Sequence, residues 1–141
     1  MAEFYTIIDH TADMGISVKA KTPEELYEKA ARALISVILG DDYHKGKRLE
    51  DIELSLEGLD WADLMVRWLG EILYLLEGEK KVFVSAKFNR LDMNLLEAEI
   101  VTTPFNQVHH QVKTFVKAVT YHQARVQKVG DVWETTIIFD V

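Results

Sequence analysis

The chain of 141 residues contains no cysteine. Disulfide bonds, thiolate zinc sites and a cysteine nucleophile are therefore excluded. No apolar run approaches the roughly 20 residues that a membrane-spanning helix needs. The N-terminus also lacks the basic and then apolar pattern of a signal peptide, so we expect a cytoplasmic protein without a membrane partner.

Sequence motifs for nucleotide binding and for a nucleophilic serine are missing as well. The chain has neither a phosphate-binding loop, nor a dinucleotide-binding glycine pattern, nor a nucleophile elbow. Because no self-contained catalytic set emerges, we do not expect an enzyme.

Charge is unevenly distributed along the chain. The net charge of −7 argues against nucleic-acid binding by the whole surface, since such binding depends on neutralising phosphates. Residues 80–128 nevertheless carry 8 basic and 3 acidic side chains. This segment is either a basic face for an anionic partner or RNA, or a solvated hairpin with its lysines outside, and the second interpretation is favoured.

The pattern of apolar residues predicts one domain of the α+β class, spanning residues 1–141. Hydrophobic residues make up 48% of the chain, enough to bury a core of ordinary size. Apolar residues at three- and four-residue spacing predict two helices, capped at Thr22 and Asp60, among strands with alternating patterns. Since most strands follow one another as hairpins, we expect a two-layer sandwich in which two α-helices cover a mixed or mostly antiparallel sheet of about six or seven strands.

The last strands and the second helix give more specific expectations. Residues 116–127 and 132–140 are predicted to form a closing pair of strands. Trp61 and Trp68 are interpreted as core packing rather than as a base-stacking platform. Gly70 in mid-helix costs about 1 kcal/mol relative to alanine, which predicts a close neighbour that needs the space.

The stretch DHTADMG at residues 9–15 interrupts two strand-like runs with polar groups. Asp9 and Asp13 lie at this strand junction, and Gly15 is expected to supply backbone freedom there. On residue types alone, an Asx-type turn whose side chains bond their own backbone is the favoured interpretation. The alternative is a binding site built on the two carboxylates.

The other end of the chain offers a second pair of carboxylates. The last predicted strand stops at Asp140 and Val141, so the Asp140 side chain and the Val141 α-carboxylate stand together. If this strand end lies beside residues 9–15, several oxygen anions converge and need a divalent cation or a lysine between them. A solvated aspartate at a fraying terminus is the alternative, and spacing alone does not decide between the two.

The ligand types determine which metal such a site would take. Calcium, magnesium and manganese fit all-oxygen ligation better than zinc or copper, and calcium is the first expectation. His109 and His110 form the one histidine pair in the sequence, but residues 104–114 supply no further ligands, so we do not expect a zinc site there.

Several segments in combination resemble the archease family, and the resemblance covers essentially the whole chain. They are DHTADMG at residues 9–15, VKAVTYH at residues 116–122, His110 seven places before Lys117, and the terminal Phe139, Asp140 and Val141. The first two motifs are specific only when they occur together. The chain departs from the family in lacking a proline just after His110.

This resemblance implies a small cytoplasmic protein cofactor of the RtcB-type tRNA-splicing RNA ligase. In that family the protein promotes guanylylation of the ligase by GTP and permits multiple turnovers, with a metal bound near acidic residues. By position, the implied metal ligands are Asp13, Asp140 and Val141. The same motifs imply four supporting site residues: Asp9, His10, Lys117 and His122. The protein would contact GTP and RNA only through the ligase and would not bind nucleic acid stably by itself.

Two rival functional classes remain open. A general chaperone or protein-binding module would use exposed apolar surface and would not need the aspartates. A metal-dependent phosphoester hydrolase would use the same carboxylates to activate water. The chaperone is the stronger rival, because no general base with a persuasive partner is visible in the sequence.

Overall fold

The structure is a computed structural model that describes residues 4–9, 13–43, 46 and 48–141. These residues form two helices and eight strands. In chain order the elements are β1 (Tyr5–Asp9), β2 (Asp13–Ala20), α1 (Pro23–Leu39), β3 (Glu50–Glu57), α2 (Trp61–Glu79), β4 (Lys81–Leu91), β5 (Leu95–Pro104), β6 (Ala118–Val119), β7 (Arg125–Val129) and β8 (Val132–Asp140).

Both helices begin where the sequence predicts. Thr22 Oγ1 accepts a hydrogen bond of 3.1 Å from the Glu25 amide, and Asp60 Oδ1 accepts one of 2.8 Å from the Asp63 amide. These side chains satisfy amides that the first turn of a helix leaves unpaired. In the part of the chain that is described, neither helix combines the length and the apolar character needed to cross a bilayer.

The strands form two antiparallel sheets. In the larger sheet the order is β1-β2-β8-β6, and β7 pairs with β8 on the same side as β6. The smaller sheet has the order β3-β5-β4. Buried residues of both helices and both sheets share a hydrophobic cluster. The predicted α+β class, with two helices packed on antiparallel strands, is confirmed, and the strands divide between two sheets.

The tryptophans of α2 are packing residues, as predicted. Trp68 is fully buried, and its Nε1 donates a hydrogen bond of 2.8 Å to the Tyr27 carbonyl. The Trp68 ring also meets Phe83 edge-on, with centroids 6.0 Å apart. Trp61 is half-buried and packs against Trp133 at 5.1 Å between centroids. The core interpretation of both residues is therefore confirmed.

The prediction that Gly70 has a close neighbour is wrong. Apart from its chain neighbours and the nearby backbone of its own helix, no described heavy atom lies within 4 Å of a Cβ built on Gly70. The glycine thus faces open space in mid-helix, where an alanine would favour the helix by about 1 kcal/mol.

The predicted strand over residues 116–127 is wrong in its extent, because a turn divides it into β6 and β7. Thr120 ends β6: its amide and its hydroxyl both donate to the Ile138 carbonyl, at 3.0 and 2.9 Å. Gln123 then adopts a left-handed φ of +54°, which no strand residue has. Lys117 and His122 consequently flank a very short strand instead of lying along a long one.

Candidate functional site

Asp13 and Asp140 are direct cross-strand partners in the pair of β2 with β8. Residues directly opposite one another in an antiparallel pair point to the same face, with Cβ atoms about 4.5–5.5 Å apart. Core packing sets this register, since the partners Ile16 and Ile137 on the opposite face are both fully buried. A slip of one residue would turn that apolar face outward. The hydrophobic pattern therefore brings the two carboxylates together at one end of the larger sheet.

The two aspartates differ in exposure and have no cation partner within the described residues. Asp140 is exposed, and Asp13 is half-buried. None of the ion pairs seen between described side chains involves either residue. Like charges placed directly opposite destabilise a strand pair, and a cation between them removes that repulsion. The pair therefore has the donor chemistry that hard divalent cations take from proteins.

β6 flanks Asp140 on the side away from Asp13. Ala118 is its partner there, and the Lys117 amide donates a hydrogen bond of 2.7 Å to the Asp140 carbonyl. The Lys117 side chain is exposed. Val141 is half-buried and packs against the hydrophobic cluster. Three separate segments of the chain thus meet at this end of the sheet.

Of the other residues implied by the family motifs, the structure describes the side chain of His122 but not those of Asp9 and His10. Asp9 closes β1 as the partner of Met14, while its side chain and the whole of His10 fall outside the described residues. His122 is exposed in the turn between β6 and β7. Among residues 4–9, 13–43, 46 and 48–141, no group of three or more His, Cys, Asp or Glu side chains is arranged to hold a metal. A cation on the aspartate pair would need further oxygen ligands.

Gly15 has a different role from the expected backbone freedom. It is not among the residues with positive φ. A Cβ at this position would lie 2.6 Å from the Ile137 carbonyl oxygen and 2.8 Å from Cδ1 of Ile138. The missing side chain therefore permits the close approach of β8, two residues from Asp13.

Asp63 anchors the turn after β6, a role that no sequence pattern predicts. Its Oδ1 accepts a hydrogen bond of 2.7 Å from the Tyr121 hydroxyl, and its Oδ2 accepts bonds from the Leu59 amide at 2.8 Å and from Arg67 Nε at 2.9 Å. The Tyr121 bond, followed by the Leu59 amide and Arg67, lowers the pKa of Asp63. The same bond raises the pKa of Tyr121. The four-residue spacing of Asp63 and Arg67 on α2 is the one sequence signal that could have found part of this network.

His110 is held by the protein through both ring nitrogens. Its Nδ1 accepts a hydrogen bond of 2.9 Å from the Asn106 amide, and its Nε2 bonds the Tyr43 carbonyl at 2.5 Å. Since a carbonyl only accepts, Nε2 carries the proton and the ring is neutral. Burial lowers the pKa of His110, and the neighbouring His109 adds to this effect. The two hydrogen bonds of the buried ring therefore hold the loop that follows β5 in place.

The sequence matches the archease protein family over residues 5–141. It is 31% identical over 141 residues to the protein archease of Methanosarcina barkeri, covering 97% of this chain and 95% of that protein. It is 34% identical over 140 residues to the archease of a Saccharolobus islandicus strain, covering 97% of this chain and 98% of that protein.

Two solved structures share the fold. The solution structure of Methanobacterium thermoautotrophicum protein 1598 aligns with a TM-score of 0.77 and 23% identity, covering 98% of this chain and 99% of that one. The crystal structure of an archease from Thermotoga maritima, described as a possible chaperone, aligns with a TM-score of 0.60 and 19% identity over the full length of both chains. With the family match and the identities to its relatives, the common fold leads to one conclusion: the chain belongs to the archease family.

Proposed function

We propose that this protein is a cofactor that activates an RtcB-type tRNA-splicing RNA ligase through a divalent cation held by Asp13, Asp140 and Val141, which together we call the acidic tip. The observation that carries the proposal is the direct pairing of Asp13 with Asp140 across β2 and β8. Calcium is the first candidate for the cation, with magnesium and manganese as alternatives, because all three take oxygen ligands.

The reaction to be promoted is guanylylation of the ligase by GTP. Phosphoryl transfer depends chiefly on positioning and on neutralising phosphate charge. Asp13, Asp140 and Val141 would hold the cation, which would supply such charge neutralisation. The exposed Asp140 can approach the ligase, while the half-buried Asp13 is held within the sheet. The Lys117 amide fixes the backbone of Asp140, so the tip is presented by rigid strands rather than by a loop.

An activator fits these features better than an enzyme does. Within the described residues, neither aspartate is hydrogen-bonded to a histidine or another base that could activate water. The sequence also has no nucleotide-binding loop, so GTP and RNA are handled by the ligase. We infer a cytoplasmic protein, the compartment implied for an RNA-splicing partner.

The decisive experiment is a guanylylation and multiple-turnover assay with purified ligase, GTP and metal. Wild type is compared with Asp13→Asn and Asp140→Asn, and Asp131→Asn in the exposed turn between β7 and β8 is the matched control. We expect wild type and the control to stimulate the ligase and both tip variants to lose most of the stimulation. Full stimulation by both tip variants, shown to be folded by thermal unfolding, would contradict the proposal.

A chaperone-like function is the second candidate. It is favoured by several exposed large apolar side chains, among them Val108 at 83% and Phe115 at 59% exposure. The Thermotoga maritima relative is also described as a possible chaperone. A chaperone would suppress aggregation of unrelated unfolded proteins, and Asp13→Asn would do so as well as wild type. If the protein does not suppress aggregation, the chaperone-like function is excluded and activation of the ligase remains the proposal.

A further inference from the structure

A groove lies between α2 and the segment 115–119, and we call it the α2 groove. Its volume is about 410 Å³. The helix contributes Gly70, Leu73, Tyr74 and Glu77, and the facing wall is the segment from Phe115 to Val119. Phe115 and Glu77 also line an adjoining cavity of about 290 Å³, so the surface continues past the groove.

Two aromatic rings of the α2 groove are exposed. Tyr74 is 56% and Phe115 is 59% accessible to solvent. Single exposed apolar residues are common on protein surfaces, but large apolar side chains that line one concave surface mark an interaction site. Aromatic side chains are also the residues that most often contribute strongly to protein interfaces. The groove therefore has the composition of a contact surface.

Gly70 provides a second and independent observation. Its position in the middle of a 19-residue helix weakens that helix, yet none of the described residues needs the space that it leaves. Because Gly70 lines the α2 groove, a larger side chain there would narrow it. The glycine therefore leaves open space in the groove.

The α2 groove has one charged residue on each wall, Glu77 on α2 and Lys117 on the segment 115–119. Lys117 lines the groove, is exposed and forms no ion pair with the described residues. Its amide is bonded to the Asp140 carbonyl. The Lys117 wall of the groove therefore lies next to the acidic tip, and we expect a partner seated on the tip to reach it. A carboxylate on that partner would complement the Lys117 ammonium group, on the wall opposite α2 and Glu77.

We propose that the α2 groove receives a segment of the partner ligase that presents a large apolar side chain next to a carboxylate. The identity of this partner rests on the proposed function, whereas the chemistry of the segment follows from the groove itself. The apolar side chain occupies the space over Gly70, between Tyr74 and Phe115, and the carboxylate pairs with Lys117. Seating this segment orients the acidic tip toward the ligase.

The test measures binding of the purified full-length protein to the immobilised ligase. Gly70→Leu fills the groove, and Gly70→Ala is its control, because both changes favour the helix but only leucine is bulky. Phe115→Ser removes an exposed ring, and Leu59→Ser, at a residue 81% exposed, is its control elsewhere on the surface. We expect Gly70→Leu and Phe115→Ser to weaken binding about tenfold or more, and both controls to stay within about twofold of wild type.

The same variants separate the groove from the tip. At saturating concentration, Phe115→Ser should still stimulate guanylylation fully because its tip is intact, whereas Asp13→Asn should bind normally without stimulating. Wild-type affinity of both Gly70→Leu and Phe115→Ser would overturn the groove proposal and leave the proposed function standing. A wild-type protein that neither binds nor stimulates the ligase would overturn both. Binding of single-stranded RNA that Phe115→Ser abolishes would assign the groove to RNA instead and overturn the proposal.

Discussion

The hydroxyl of Tyr121 donates a hydrogen bond of 2.7 Å to Oδ1 of Asp63, and this bond ties the turn after β6 to the first turn of α2. The Tyr121 ring is exposed, but the carboxylate that it contacts is buried. The turn that carries His122 is thereby fixed to the helix that lines the α2 groove.

Loss of the Tyr121 hydroxyl should destabilise the protein. Tyr121→Phe removes a hydrogen bond to a charged acceptor, and we expect a loss of about 1–2 kcal/mol in the free energy of unfolding at pH 7. The control Tyr74→Phe, at an exposed tyrosine on α2, should stay within about 0.5 kcal/mol. Urea unfolding measures both, and equal stability of the two variants would contradict the assigned role of Tyr121.

The contribution of Asp63 should also depend on pH. Because its pKa in the folded protein is below the ordinary 3.8, its stabilising effect is fully present above that value and disappears as the pH falls through the folded pKa. The stability difference between wild type and Tyr121→Phe should therefore shrink under acid conditions. Urea unfolding repeated at decreasing pH tests this, and a difference that grows toward low pH would contradict it.

Replacing one aspartate of the acidic tip should have opposite effects with and without metal. In a chelating buffer, Asp13→Asn should be more stable than wild type by about 0.2–1 kcal/mol, because a like-charge pair is removed. With added calcium, wild type should gain thermal stability and the variant should not. Thermal unfolding with and without calcium, with Asp131→Asn as control, measures both effects. If calcium raised the melting temperature of Asp13→Asn as much as that of wild type, the acidic tip would not be the calcium-binding site.

Protonation of His110 should destabilise the folded protein. Its pKa is lowered in the folded state, so the unfolded chain binds the additional proton first. Stability should fall as the pH drops below the ordinary value of 6.5 and level off below the folded pKa. His110→Gln should flatten this dependence, while His109→Gln, at an exposed position, should keep it. Unfolding free energies between about pH 5 and 7.5 cover the window in which an unperturbed histidine titrates; a slope that persists in His110→Gln would contradict the assignment.

Alanine at Gly70 should stabilise the protein. The added methyl group meets open space, so the gain in helix propensity of about 0.8–1 kcal/mol is expected almost in full. Gly78→Ala is the matched comparison in the same helix, where the new Cβ would lie 2.9 Å from the Tyr74 ring. Its gain should be smaller because the ring must move. Chemical unfolding measures the free energy of unfolding of both variants. A Gly70→Ala variant less stable than wild type would show that the space is not open.

Alanine at Gly15 should have the reverse effect. Its Cβ would collide with the backbone of β8, which cannot move without disturbing the strand pair, and we expect a loss of about 1–3 kcal/mol. Ser17→Ala on the same strand is the control and should be close to neutral. If Gly15→Ala unfolds at the wild-type denaturant concentration, the close approach of the strands does not hold.

The helices could be predicted from the sequence because their signals are local. Thr22 and Asp60 cap amides three residues away, and the apolar spacing repeats within each helix. The break after β6 could not be predicted, since Thr120 bonds a carbonyl that is 18 residues away along the chain. Residues 116–122 read alone have strand composition, and only the contact with β8 shows where the strand ends.

The candidate site could likewise be predicted from the sequence only in part. Carboxylates at two strand ends were visible in the sequence, but the register that makes Asp13 the partner of Asp140 depends on burial of Ile16 and Ile137. The bond between Asp63 and Tyr121 joins residues 58 apart and carries no sequence pattern. The sequence predictions for Gly15 and Gly70 are wrong, because the surroundings of a glycine are set by other elements of the fold.

The central position of β8 makes the larger sheet depend on contacts between distant parts of the chain. β8 lies between β2 on one side and β6 and β7 on the other, yet it follows all three of them in the sequence. Joining such distant segments is a slow event in folding, and until β8 is added β2 lacks a hydrogen-bonded neighbour on one side. A chain truncated before residue 132 therefore has no Asp140 to place beside Asp13.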